Sequence, residues 1–117
     1  MPTTPTLSPS RTAGGLVFSS GCLPRDADSG LIVGGGIREQ TRVTLQNVSR
    51  ILAAEELSLA DVVRVGVYLA DIDRDFDEFN VVYGEYFSRP FPARTTVGAR
   101  LRGALVEIDV VAFVPQA

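Results

Sequence analysis

Ala104-Leu105-Val106-Glu107-Ile108-Asp109-Val110-Val111-Ala112-Phe113-Val114 is the stretch on which the fold class turns. Successive side chains of a strand point to opposite faces. Ala104, Val106, Ile108, Val110 and Ala112 therefore make one smooth apolar face, suited to lie beneath helices. Leu105, Glu107, Asp109, Val111 and Phe113 make the other, which mixes carboxylates with large apolar groups. Residues 62–69 split the same way, with Val63, Val65, Val67 and Leu69 against Arg64, Gly66 and Tyr68. Residues 95–101 read as a third strand whose apolar set is Thr95, Val97, Ala99 and Leu101, leaving Arg94, Thr96 and Arg100 opposite.

Helices lie between these strands. Ile37, Thr41, Leu45, Val48 and Leu52 recur at helical spacing, with Thr44 and Ile51 beside them, and predict a helix from Ile37 to Ala54. Asp71 and Asp73 can cap a second helix carrying Phe76, Phe79, Asn80, Tyr83 and Phe87 on one side, stopped by Pro90 and Pro92. Ser58 to Asp61 connects the first helix to the strand that follows. Nearer the start, residues 1–13 are rich in Pro, Thr and Ser and read as an arm; Leu16 to Ser19 is a short strand, and Leu31 to Val33 a brief one among turn residues. Residues 1–117 are thus expected to form one α+β domain in the order β-β-α-β-α-β-β, with two helices on one face of a mixed sheet. Two helices cannot cover both faces, and a face carrying Leu105, Val111 and Phe113 is too apolar for open solvent. A subunit interface is expected there, with sites in the clefts between subunits.

Composition narrows the chemistry. The chain has no His, Lys or Trp, a single Cys, and eleven cations that are all Arg, for a net charge of −3. His-based triads, paired-His ribonuclease chemistry, Schiff-base lysines and imidazole zinc sites are excluded. An acidic balance argues against binding nucleic acid by phosphate neutralisation, and no apolar run is long enough to cross a membrane. The opening Met1-Pro2-Thr3-Thr4-Pro5-Thr6 lacks the features of a signal peptide. Cys22 alone cannot build a disulfide framework, which fits a reducing cytosol.

The chemistry that remains centres on Phe91-Pro92-Ala93-Arg94-Thr95-Thr96-Val97 and on Glu107. Pro92 biases Phe91 to extended geometry and marks the entry to a strand. Arg94 stands at the mouth of that strand, and a neighbouring antiparallel strand is expected to bring Glu107 close to it. A guanidinium fork can grip a small carboxylic acid while a carboxylate positions a water; a structural ion pair is the alternative. Other features read as architecture. Cys22 lacks a His or Lys to lower its pKa and reads as a small, partly buried wall residue of the site. The acidic run from Asp71 to Asp77 puts Phe76 where a calcium loop needs Gly and suits a helix N-terminus. Gly34-Gly35-Gly36 reads as a tight turn.

Ser20-Gly21, Gln40-Thr41, Leu45-Gln46-Asn47-Val48, Asp61-Val62-Val63-Arg64, Phe79-Asn80-Val81-Val82-Tyr83, Phe91-Pro92-Ala93-Arg94 and Val106-Glu107-Ile108 occur in the order of the RidA (YjgF-like) enamine/imine deaminases, which the chain resembles from residue 7 to its end. The resemblance implies a chorismate-mutase-like fold, a homotrimer with sites between subunits, and no metal or cofactor. It implies hydrolysis of 2-aminoacrylate-type enamines and 2-imino acids such as 2-iminopropanoate and 2-iminobutanoate to 2-oxo acids and ammonia. Arg94 would bind the substrate carboxylate, Gly21 would offer backbone contacts, and Glu107 would orient and deprotonate water. The peptide at Thr96 and the side chain of Asn80 would line the site. Four positions depart from the family pattern: Leu7 replaces an arm Tyr, Cys22 a Gln, Thr96 a Cys, and Glu55-Glu56 a helix-ending Gly. Alternatives to the deaminase are a non-catalytic trimer binding a small carboxylate for regulation, and a related hydrolase of pyrimidine or amine breakdown.

Overall fold

A computed structural model describes residues 6–115. The elements are β1 (Ser10–Ala13), β2 (Leu16–Ser19), α1 (Ile37–Ala54), β3 (Val62–Leu69), α2 (Ile72–Tyr86), β4 (Ala93–Gly98) and β5 (Val106–Phe113). They form two helices on a mixed five-stranded sheet of order β1-β2-β5-β3-β4. Both long helices and β3 coincide with the periodic stretches. α1 buries Ile37, Thr41, Thr44, Leu45, Val48 and Leu52, the stripe its spacing prescribes. Asp71 caps α2 by accepting from the Arg74 amide at 3.2 Å. Among the described residues, no helix is long and apolar enough to cross a membrane.

The letter order of strands and helices agrees with expectation, but the first strand is a different segment. Part of the expected arm, Ser10 to Ala13, pairs with β2 as a hairpin. Its turn is Gly14-Gly15, both at positive φ (58° and 79°), the pairing that two-residue hairpin turns require. The first five residues of the arm lie outside the described residues. Residues 31–33 contribute only an isolated bridge, Arg25 to Ile32. Asp26 organises the loop instead, accepting from the amides of Asp28 and Ser29.

The second correction changes the site. β4 and β5, expected to be neighbours, are separated by β3. β4 runs parallel to β3, which the crossover through α2 makes possible. β5 instead fills the centre of the sheet, antiparallel to both β2 and β3. The two eight-residue apolar strands thereby occupy the middle, and the short, Thr- and Arg-bearing β4 takes the edge. Val65, Val67, Leu69, Val106, Ile108, Val110 and Ala112 form the core beneath the helices.

Candidate functional site

Register decides which side of the sheet each polar group occupies. Arg94 pairs with Val65 and Thr96 with Val67, so both share the helix-side face. Glu107 pairs with Tyr68 and Asp109 with Gly66, on the opposite face. Within one chain, Arg94 and Glu107 therefore lie on opposite sides of the β-layer, contrary to the shared face expected from the sequence. Thr95 and Val97, expected to face the helices, are exposed, whereas Arg94 and Thr96 are half-buried.

Arg94 is half-buried under α2. Its guanidinium carbon lies 4.6 Å from the centre of the Tyr83 ring, 5.4 Å from that of Phe79 and 6.0 Å from that of Phe76. Each such contact is worth about 0.5–2 kcal/mol, depending on how far the cation is desolvated. The ion pairs among the described residues join Arg38 to Glu78, Arg42 to Glu85, and Arg74 to Asp71 and Asp75. Arg94 takes part in none of them. The structural ion pair with Glu107 is thus excluded within the chain, and a fork with aromatic walls is left with its charge unmatched. Burial pushes the Tyr83 phenol up, and the nearby Arg94 charge pulls part of that back. Asn80, half-buried, sits on the same helix surface, four residues after Phe76 and three before Tyr83.

The backbone of β4 adds a second feature. At the end of the β3–β4 ladder the Ala99 amide donates to the Leu69 carbonyl at 3.0 Å. Backbone groups alternate in direction along a paired strand, so Ala93, Thr95 and Val97 share that direction toward β3. The N–H and C=O of Arg94, Thr96 and Gly98 then project from the free edge of the sheet. A carboxylate held by Arg94 at this edge can also meet the Thr96 amide.

On the other face Glu107 lies across Gly21, where any Cβ would collide with its carboxylate. A side chain at Gly21 would push the Glu107 carboxylate aside from its present position, and the structure does bring these two expected site residues together. A bulge sets the phase. Val17 pairs with Ala112 and Cys22 with Ile108, leaving one extra residue on the first segment, which turns Gly21 outward and Cys22 inward. Burial first, and the neighbouring charge of Asp109 second, hold the Glu107 carboxyl above its ordinary range.

Cys22, expected as a partly buried wall residue, turns inward with Ile108. It is 6% exposed and belongs to the core, with its backbone bonded to Ile108 in both directions, at 2.7 and 3.0 Å. Burial, then the charges of Glu107 and Asp109, push its thiol up to about 11, so it is no nucleophile at neutral pH. Leu7 is exposed, at 68%.

The sequence sets Phe76, Phe79 and Tyr83 on one side of the second helix without revealing that they enclose Arg94. It also places Tyr68 and Asp109 on the mixed face without showing their hydrogen bond of 3.0 Å. The aromatic spacing on α2 was a readable signal for the first. Nothing local announces the second, because the two residues are 41 apart.

The family model described as Endoribonuclease L-PSP matches residues 2–114. A RutC family protein of Pyrococcus horikoshii is 45% identical over 103 residues, covering 86% of this chain and 81% of the relative. The human 2-iminobutanoate/2-iminopropanoate deaminase is 39% identical over 99 residues, covering 83% and 72%. Among solved structures, RidA from the Antarctic bacterium Psychrobacter superposes with a TM-score of 0.87 at 30% identity, covering 97% of this chain and 92% of that one.

Proposed function

The chain belongs to the RidA (YjgF-like) family, and from that premise we propose that it hydrolyses reactive 2-imino acids and their enamine tautomers to 2-oxo acids and ammonia, in the cytosol, as a homotrimer. The observation that carries this reading is the unmatched Arg94 guanidinium in its aromatic enclosure, beside the free Thr96 peptide.

The two halves of the machinery face opposite ways on one chain, so they meet only across two copies. Arg94 of one subunit and Glu107 of the next share a cleft. The face that carries Glu107 also carries Phe18 and Phe113, each 43% exposed, and Val97 at 41%. Packing these against neighbours removes apolar surface that a monomer would leave in water.

The enamine first gains a proton at its terminal carbon and becomes an iminium, which is already electrophilic. Arg94 and the Thr96 N–H hold the substrate carboxylate, with Asn80 bracing the anchor side. Gly21 leaves room above Glu107 and offers its backbone. The oxygen of water adds to the C=N carbon while Glu107 accepts a proton from it. That proton passes to the carbinolamine nitrogen. The C–N bond then breaks as Glu107, free again, takes the hydroxyl proton, releasing ammonia and the 2-oxo acid, and that proton leaves with the ammonia as ammonium. Orientation and one general base suffice for this sequence, and each contributes several kcal/mol.

Threonine dehydratase generating 2-iminobutanoate, with semicarbazide as the trap, supplies the assay. Added protein is expected to lower the rate of semicarbazone formation by removing the imine. An unchanged trapping rate, with the carboxylate product still binding at Arg94, would leave the regulatory binding trimer as the function.

A further inference from the structure

Glu107 does not stand alone on its face. Tyr68 is its direct partner across the β3–β5 ladder, and Asp109 is its same-face neighbour two residues along β5. The Tyr68 hydroxyl reaches diagonally past Glu107 and donates to Asp109 Oδ2 at 3.0 Å. Room for this comes from Gly66, which pairs with Asp109. A Cβ at Gly66 would stand 2.6 Å from Asp109 Oδ1, which would have to shift, and 3.3 Å from the Tyr68 oxygen, a tight contact that a small give relieves. Two glycines on neighbouring segments therefore make space for two carboxylates on one strand, Gly21 for Glu107 and Gly66 for Asp109.

We infer that Tyr68 and Asp109 are a positioning pair for Glu107: the Tyr68 hydroxyl fixes Asp109 in the space left by Gly66, and that fixed negative charge keeps Glu107 a stronger base. The catalytic half of this inference rests on the deaminase reading; the electrostatic half does not. The charged and titratable groups on the Glu107 side of the sheet are few. Asp109 comes from β5 itself, Tyr68 and Arg64 come from β3, with Arg64 engaging Thr95 Oγ1 at 3.3 Å, and Arg11 comes from β1 at the far edge, paired with Phe18. The segment after β2 supplies Gly21 and the buried Cys22 thiol, which is neutral at physiological pH. β4 supplies Thr95 and Val97, which carry no charge, and the helices lie on the far face. In the assembled cleft the second copy's Arg94 would add a cation, which by itself lowers the basicity of a nearby carboxylate. Asp109 opposes that cation. Hydrogen bonding to Asp109 is the first cause, and its charge the second, that hold the Tyr68 phenol protonated and able to donate.

The test uses Asp109→Asn, which keeps the shape and removes the charge, and Tyr68→Phe, which keeps the ring and removes the donor. The titration of Glu107 is followed directly by carboxyl-carbon NMR, with Glu107→Gln identifying its resonance. Asp109→Asn is expected to lower the midpoint by about 0.5–1 pH unit, and Tyr68→Phe by a smaller step in the same direction. The acid limb of kcat/KM should move with the NMR midpoint. The plateau kcat should fall about two- to threefold at unchanged KM, because a weaker base transfers the proton less readily. Asp109→Glu, which retains the charge, should stay within about 0.2 unit of the parent midpoint. Thermal melting and light scattering establish that each variant is folded and assembled. A Glu107 midpoint that stays in place in both folded variants overturns the pair. A parent protein without imine hydrolysis sinks the deaminase reading instead, and the NMR midpoints still decide on the pair.

Discussion

Arg94 and Glu107 sit on strands separated only by β3, yet the fold prepares their surroundings in opposite ways. The Arg94 side is finished within one chain: α2 supplies three aromatic rings, and the edge strand supplies unpaired peptide groups. The Glu107 side is a half-open surface, where a carboxylate with raised proton affinity lies among exposed Phe18, Val97 and Phe113. A cation tolerates enclosure by rings because their faces carry partial negative charge. A carboxylate gains no such help and needs a donor or a cation from elsewhere. On the proposed reading, the asymmetry means that the anchor is preformed within one chain, whereas the base would be completed by association of two copies.

The largest effect should come from separating the halves by mutation. Arg94→Ala and Glu107→Gln are each expected to lower kcat/KM by about 10²–10⁴ while remaining folded. Co-expressed or refolded together in equal amounts, they should recover activity. A cleft works when one neighbour keeps Arg94 and the other keeps Glu107, which random assembly grants to about a quarter of clefts. Recovery near that fraction, measured by imine trapping, ties the two faces together across copies. A mixture as inactive as its components would place both groups in separate roles.

A smaller effect distinguishes the electrostatics of the two faces. Burial, then Asp109, raise the Glu107 carboxyl above its ordinary value of 4.5. A group that binds its proton more tightly in the fold contributes stability below its unfolded pKa and loses it as pH rises through its folded pKa. Within the single chain, ionised Glu107 therefore opposes folding at neutral pH, and in the proposed cleft the next copy's Arg94 offsets part of that. Glu107→Gln should raise stability at pH 7 by about 0.5 kcal/mol, a modest figure because solvent reaches the half-exposed group and screens it. The gain should vanish near pH 3.5. Urea midpoints at the two pH values and equal protein concentration read it. Equal gains at both would assign the effect to packing.

How much of this was legible in the chain varies with the range of the interaction. α1 was readable to its ends, and β3 from Arg64 onward, because apolar spacing is local and each has one buried face; a bulge at the start of β3 turns Val62 inward and leaves Val63, expected beneath the helices, 43% exposed. The five alternating residues from Ala104 to Ala112 were placed correctly for the same reason. The side of Arg94 was not legible, because a charged residue in an alternating pattern counts as outward. Here its charge is accepted by Phe79 and Tyr83, residues of a different element. Nor does a strand's own pattern state its neighbour: that β5 enters beside β3 rather than β4 is a property of the whole sheet. The Gly14-Gly15 hairpin was readable, but the Pro- and Thr-rich flank masked it. For Arg94 and Glu107, the alternation along each strand was legible; which face of the sheet each occupies was not.

The smallest expected effect lies away from both faces and calibrates the others. α1 ends in a Schellman arrangement, with the Leu57 amide donating to the Leu52 carbonyl at 2.8 Å and the Glu56 amide to the Ala53 carbonyl at 2.9 Å. This motif places the residue after the cap in the left-handed region, where Glu56 stands at φ 60°. Glycine occupies that region without the Cβ clash that costs other residues about 1–2 kcal/mol. The sequence departs from the family pattern at this helix end, and the structure assigns the departure an energetic cost. Glu56→Gly relieves the clash but adds freedom to the unfolded chain, so the net gain should be about 0.5–1 kcal/mol. Leu57 is buried against the core and keeps the cap in register in both proteins. Because Glu56 belongs to neither the Arg94 enclosure nor the Glu107 surface, kcat and KM should stay at parent values while the melting temperature rises. A rise accompanied by lost activity would mean that the end of α1 communicates with one of the two faces, and the Glu107→Gln gain would then need the same correction.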